Sequence, residues 1–154
     1  MYPVVEKKKQ FKIGLASDHA GYAYKQELIR DLENKGYQIR DFGCNSEQSC
    51  DYPDYAHPLA GAVQKGEVDM GISLCGSGNG INMVVNKYRG VRSAICWNIE
   101  LARLARAHNN ANVCALPARF ISYRNAMEIV EIFINTPFDG GRHLRRINKI
   151  DPAF

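Results

Sequence analysis

The chain has no apolar run long enough to cross a bilayer. Its hydrophobic stretches are short and broken by glycine or charge, which removes a helical membrane protein from consideration. It has no CxxC spacing, and its five cysteines (Cys44, Cys50, Cys75, Cys96 and Cys114) form an odd set. Such a set argues against both a disulfide framework and a zinc site, and a reducing cytoplasm is the expected compartment. The P-loop pattern GxxxxGK[ST] is missing. GxGxxG also fails: begun at Gly76 it needs a glycine where Ile81 stands, and begun at Gly78 it meets Met83. The common nucleotide-triphosphate and dinucleotide fingerprints are therefore absent. No carboxylate pair or cluster with metal-ligand spacing stands out. Asp51, Asp54 and Asp69 read as turn and cap residues, and neither a metal nor a cofactor is expected.

Charge of one sign is also scarce. Lys and Arg number 20 against 16 Asp and Glu, a net of +4. Seven of the positive charges sit in two places, Lys7, Lys8 and Lys9, and Arg142, Arg145, Arg146 and Lys149, leaving the remainder close to neutral or acidic. No basic face interleaved with aromatics is present, so no nucleic-acid partner is expected, while a local anion site near the C-terminus stays open. The first ten residues, MYPVVEKKKQ, lack an apolar core followed by a cleavage site, so no signal peptide is read. Residues 1–10 are expected to be a tail, and 11–154 one domain without internal repeat or linker. A chain of 154 residues is large enough for one core.

What is present alternates. Short apolar runs at 11–17, 37–42, 68–75, 92–97 and 112–116 read as strands. Between them lie amphipathic stretches. Tyr24, Leu28 and Leu32 mark a helix stopped by Gly36, with Ser17 or Asp18 as its cap. Tyr55, Leu59 and Val63 mark another from Asp54 to Lys65, its start obscured by Pro58. Leu101, Leu104, Ala105 and His108 share a helical face. Ser122 caps a helix carrying Ala126, Val130, Phe133 and Ile134, and a basic helix runs from Arg142 to Ile150. Five strands separated by helices predict an α/β fold, a Rossmann-like α/β/α sandwich on a five-stranded parallel sheet. Ligands in such folds sit beyond the carboxyl ends of the strands, where the pattern places Asp18 and His19, Cys75, Trp97 and Asn98, and Arg119.

The stretch SLCGSGNGIN, residues 73–82, raises the main chemical question. Gly76, Ser77, Gly78, Asn79 and Gly80 follow a strand and open a helix, so successive N–H groups form a concave donor set suited to an oxyanion or phosphate. A tight turn needing glycine is the plainer reading, but three glycines in five residues exceed it. Cys75 stands at the mouth of this loop. It is either the buried end of a strand, as Cys96 and Cys114 are expected to be, or a thiolate stabilised by the loop's donors and used as base or nucleophile. His108 alone reads equally well as a capping residue. Arg142 and Arg146, four apart with His143 between them, are either a solvated basic face or a phosphate grip.

Taken in order, GLASDHAGY, DYPDYA, CGSGNGINMVVNK, GVRSA, HNNANV, AR and GGRH…R resemble ribose-5-phosphate isomerase of type B, the family that also contains galactose-6-phosphate isomerase subunits. The likeness runs from about Phe11 to Ile150; the segment up to Gln10 has no counterpart. The resemblance implies a cofactor-independent aldose–ketose isomerase of the non-oxidative pentose phosphate pathway. It also implies a homodimer, or a tetramer built from dimers, with active sites shared between subunits, and a small sugar phosphate as the ligand. By position, Cys75 matches the general base, and Ser77 with the loop residues Gly76, Gly78, Asn79 and Gly80 matches an oxyanion cradle helped by Asn109. Asp18 and His108 match the groups that bind and open the sugar ring. His19, Arg119, Arg142 and Arg146 match a phosphate clamp, and Tyr52 a wall of the sugar site. Some members replace the cysteine by a glutamate further along the loop; here residue 79 is Asn, with Ile81 and Asn82 beyond, so Cys75 has no rival. Pro117 is a departure that bears on the approach of Arg119. A hexose 6-phosphate isomerase, for allose or galactose 6-phosphate, is the alternative. A non-catalytic sugar-phosphate sensor would have no need of Cys75.

Overall fold

The computed structural model describes residues 11–153; the expected tail at 1–10 lies outside them. The alternation read from the sequence becomes β1 (Lys12–Ser17), α1 (Tyr22–Asn34), β2 (Gln38–Asp41), α2 (Tyr52–Gln64), β3 (Met70–Cys75) and α3 (Asn79–Val85). These are followed by β4 (Ser93–Ile95), α4 (Ile99–Asn109), β5 (Val113–Pro117), α5 (Tyr123–Asn135) and α6 (Arg142–Ile147). All strand pairs are parallel, in the order β2-β1-β3-β5-β4. Burial follows that order. Every residue of the central β3 and β5 is buried, whereas edge strands β2 and β4 are half-buried or exposed.

Helices cover both faces, because each parallel connection must cross over the sheet. On one side Leu28 and Leu32 of α1, Ala102 and Ala105 of α4, and Ile129, Val130 and Phe133 of α5 pack on Ile72, Leu74 and Leu116. On the other, Leu59 and Val63 of α2 and Ile81 and Val85 of α3 meet Ala16 and Val113. Each fully buried leucine or phenylalanine here contributes about 1.5–3 kcal/mol of apolar burial. Lys25 of α1 is fully buried and donates to both carboxylate oxygens of Asp41, at 2.7 and 2.9 Å.

Several local expectations are corrected. Neither Ser17 nor Asp18 caps α1, whose cap position is Gly21; the Asp18 carboxylate instead holds the turn before it. Helix α2 begins at Tyr52, since Pro53 fits a first turn, and Pro58 stands inside it on an exposed side. The buried stripe of α4 is Ala102, Ala105 and Ala107, so Leu101, Leu104 and His108 are only half-buried. Helix α6 ends at Ile147. Ser122 does cap α5, accepting the Asn125 N–H at 3.2 Å. Among the described residues, no helix is long and apolar enough to cross a membrane.

The chain runs from β1 outward to β2 and then returns to place β3 on the opposite side of β1. That reversal opens a crevice beyond the carboxyl ends of β1 and β3. Asp18 closes its floor by donating its N–H to the Leu74 carbonyl at 3.2 Å.

Candidate active site

Cys75 is the last residue of β3 and is 5% exposed. The chain then turns through Gly78, whose φ of +77° is open to glycine at little cost and strained for any other residue. That turn aims the Gly78 N–H at the Cys75 Sγ, 3.1 Å away. The Asn79 N–H meets the Ser77 Oγ at 3.3 Å. The β5–α5 connection braces the loop from behind, with Ala118 N–H on the Cys75 carbonyl at 2.9 Å and Arg119 N–H on the Gly76 carbonyl at 3.1 Å. Arg119 lies over Gly76, where a Cβ would stand 3.2 Å from its Nη1. Tyr52, at the start of α2, lies against Gly80 so closely that a Cβ there would meet the ring at 2.5 Å.

On the β1 side Asp18 is buried, and its Oδ1 accepts the Ala20 and Gly21 N–H groups at 2.9 and 3.2 Å. The next residue, His19, accepts the Cys50 N–H on Nδ1 at 3.2 Å. A neutral imidazole accepting at Nδ1 carries its proton on Nε2, which makes His19 a donor on its other edge. Beyond the loop toward β4 lies a cavity of about 440 Å³. Ser77 and Asn79 form its polar wall, and Trp97 and Phe120, both largely exposed, contribute aromatic surface. Asp18, His19, Tyr52, Cys75, the loop 76–80 and Arg119 are thus brought together at one edge of the sheet.

His108, Asn109, Arg142 and Arg146 are not. Cys75 pairs in register with Pro117 at the end of β5, whereas α4 ends just before that strand begins. Asn112 bonds to Gly71 and Arg92, at the opposite ends of β3 and β4. β5 spans about 16 Å, so within one chain the two groups occupy opposite edges. In the second group the His108 and His143 rings stack with centroids 4.2 Å apart and planes 9° from parallel. Asp139 is fixed beside them by its N–H bond to the Ala107 carbonyl at 2.9 Å. Partial desolvation, together with His108, Arg142 and Arg146, holds the His143 imidazole below its ordinary value, and Asp139 opposes them. Arg142 and Arg146 are exposed on α6.

Among the other cysteines only Cys50, through its N–H on His19, touches a residue of this group. Burial, then the neighbouring Cys96, pushes the Cys114 thiol well up, and burial, then Cys44, pushes up Cys50. Three features escaped the sequence: the Cys50 brace on His19, the place of Phe120 beside the expected Trp97 in the cavity wall, and the convergence of His108, Asp139 and His143. Each joins residues distant along the chain, so no local spacing encodes it. The two glycines before α6 were the one local mark near the last of them.

The sequence pattern of the ribose/galactose isomerase family matches residues 13–150. Ribose-5-phosphate isomerase B of Escherichia coli K12 is 39% identical over 139 residues, which cover 90% of this chain and 93% of that protein. Among solved structures, a ribose 5-phosphate isomerase from Thermotoga maritima superposes with a TM-score of 0.91 at 49% identity, covering 93% of this chain and 99% of that one. Ribose-5-phosphate isomerase B from Mycoplasma genitalium, solved with bound ribulose-5-phosphate, gives 0.88 at 42% identity, with 91% and 93% covered. With a pattern that spans the whole sheet and structures that share its architecture, the chain belongs to the ribose/galactose isomerase family.

Proposed function

We propose that this protein interconverts ribose 5-phosphate and ribulose 5-phosphate by proton transfer through an enediolate, with Cys75 as the base. The observation that carries the reading is the Gly78 N–H on the Cys75 Sγ, 3.1 Å away, inside a loop of small residues covered by Tyr52. In the open-chain aldose the Cys75 thiolate takes the proton from C2, negative charge collects on the C1 oxygen, and the thiol returns the proton to C1. Meanwhile the O2 proton moves to O1, giving the ketose. The sugar is rearranged with no net gain or loss of electrons, so the reaction needs no redox cofactor.

The loop's role is to hold N–H groups where charge develops, together with the Ser77 hydroxyl and Asn109. A donor aimed at the anionic intermediate is worth about 3–4 kcal/mol in comparable sites. Asp18 and His108 bind and open the ring. His19 with its Nε2 proton, Arg119, Arg142 and Arg146 hold the phosphate, fixing C1 and C2 over the sulfur. Because these groups divide between opposite edges of one chain, the complete site is formed by two copies, each lending its His108 edge to the other's Cys75. That pairing makes a homodimer, or two such dimers together. The five free thiols fit the reducing cytoplasm.

The curated and structural relatives named for ribose 5-phosphate, one solved with the ketose product bound, support the pentose as substrate. A hexose 6-phosphate adds a single carbon, which pocket contacts discriminate only modestly, about 10–200-fold. Side-by-side kcat/KM for ribose 5-phosphate and allose 6-phosphate decides between them. The pentose is expected to win; preference for the hexose would keep the mechanism and overturn the substrate, and turnover of neither would leave a sugar-phosphate sensor.

A further inference from the structure

The second cluster has a chemistry that sugar-phosphate binding does not require. His108 at the end of α4, Asp139 in the α5–α6 connection and His143 in the first turn of α6 each offer one donor atom, and all three atoms lie within 4.8 Å of one another. His108 and His143 are face to face, 9° from parallel. The backbone fixes the set: Asp139 N–H on the Ala107 carbonyl ties the connection to the last turn of α4, and His143 N–H on the Gly140 carbonyl closes the turn before α6.

Two imidazoles and one carboxylate form the donor set of a borderline divalent cation, three protein ligands with a fourth position open. Tetrahedral zinc places neighbouring donors about 3.3 Å apart, so closing the set takes side-chain movements of roughly 1 Å. The surroundings select the cation further. The charges of Arg142 and Arg146 act on His143, that of Asp139 on Arg103, and that of His108 on Glu100. That balance is poor for Mg²⁺ or Ca²⁺, which need several oxygen ligands, whereas the bonds of zinc to imidazole do not rest on net charge alone.

We propose that His108, Asp139 and His143 form a binding site for a zinc-class divalent cation, and that its occupancy switches the isomerase off. The inhibitory half rests on the reading of His108 as the ring-opening group: an imidazole bound to metal through its donor nitrogen can neither give nor take a proton there.

The test is calorimetric titration of the full chain with ZnCl₂, alongside isomerase assays in buffered zinc. Wild type is expected to bind one Zn²⁺ per chain, with Mg²⁺ giving no heat. Asp139→Asn should weaken binding by at least about tenfold, the scale on which metal sites respond to lost ligand support, while keeping zinc-free turnover. His143→Gln should weaken it further. Cys75→Ala should bind zinc as wild type does, and Co²⁺ in its place should give d–d absorption without a thiolate charge-transfer band. Zinc affinity indifferent to both Asp139→Asn and His143→Gln, or lost in Cys75→Ala, would overturn the site. Stoichiometric binding without inhibition would overturn the switch. A chain that binds zinc as described yet turns over no sugar phosphate would refute the proposed activity and leave the metal site standing.

Discussion

The Gly78 N–H points at the Cys75 Sγ from 3.1 Å because Gly78 sits at φ +77°, on the far side of a turn that returns the chain to the end of its own strand. The same residue is hemmed in: a Cβ there would stand 3.3 Å from Ile95 and 3.4 Å from the Leu116 carbonyl carbon. Gly78→Ala is therefore expected to cost about 1–2 kcal/mol in stability from its left-handed conformation, and to lower kcat more than it raises KM. Urea denaturation and steady-state kinetics on the same preparation check both. An unchanged kcat would separate this hydrogen bond from the chemistry.

Gly80 tests the wall proposed for the sugar site. A methyl group there collides with the Tyr52 ring at 2.5 Å, so Gly80→Ala must displace either the ring or the loop. The double variant Gly80→Ala/Tyr52→Ala should recover part of the lost stability. The two changes should be non-additive by about 0.5–3 kcal/mol, as for residues in contact. Strict additivity would mean that the ring and the loop do not constrain one another.

Lys25 and Asp41 make an unequal pair, because the Lys25 side chain is fully buried while the carboxylate side chain is 33% exposed. Asp41→Ala strands a buried cation and removes the acceptor of the Gly43 N–H, so it should cost about 3–5 kcal/mol. Lys25→Met leaves an acid that water can reach, and should cost far less. Chemical denaturation of both variants, with the order reversed, would contradict the asymmetry.

The proposed division of the site between two edges makes a sharper prediction. Cys75→Ala and His108→Ala should each be nearly inactive. If two copies share each site, mixing equal amounts and allowing subunits to exchange should restore about a quarter of wild-type activity, since half the dimers are hybrids with one intact site. No recovery, in a mixture shown to contain hybrids, would place both residues in one chain's site.

The elements themselves were legible because each strand is short, apolar and followed by a helical face. Leu28 and Leu32, or Val130 and Phe133, announce which side is buried. Cys75 was legible as the end of β3 for the same reason. The order of the strands was not, since β5 slides between β3 and β4 through pairings such as Leu74 with Leu116 that leave no trace in local periodicity. Along α4 the sequence pattern marks Ala105, which is buried, but not Ala102 and Ala107, small residues buried with it. His108 meets Asp139 and His143 through a turn set by Gly140 and Gly141, which sequence spacing marks as a break without saying what it brings together.

The central claim is that Cys75 carries the proton. Turnover of ribose 5-phosphate by Cys75→Ala, measured together with the affinity for the same sugar, tests it most directly. The account predicts a fall in kcat of about 10²–10⁴-fold, the usual worth of a positioned acid–base group, with binding close to wild type because the phosphate clamp is untouched. A variant that still turns over at near the wild-type rate, or that loses binding as severely as catalysis, would contradict it.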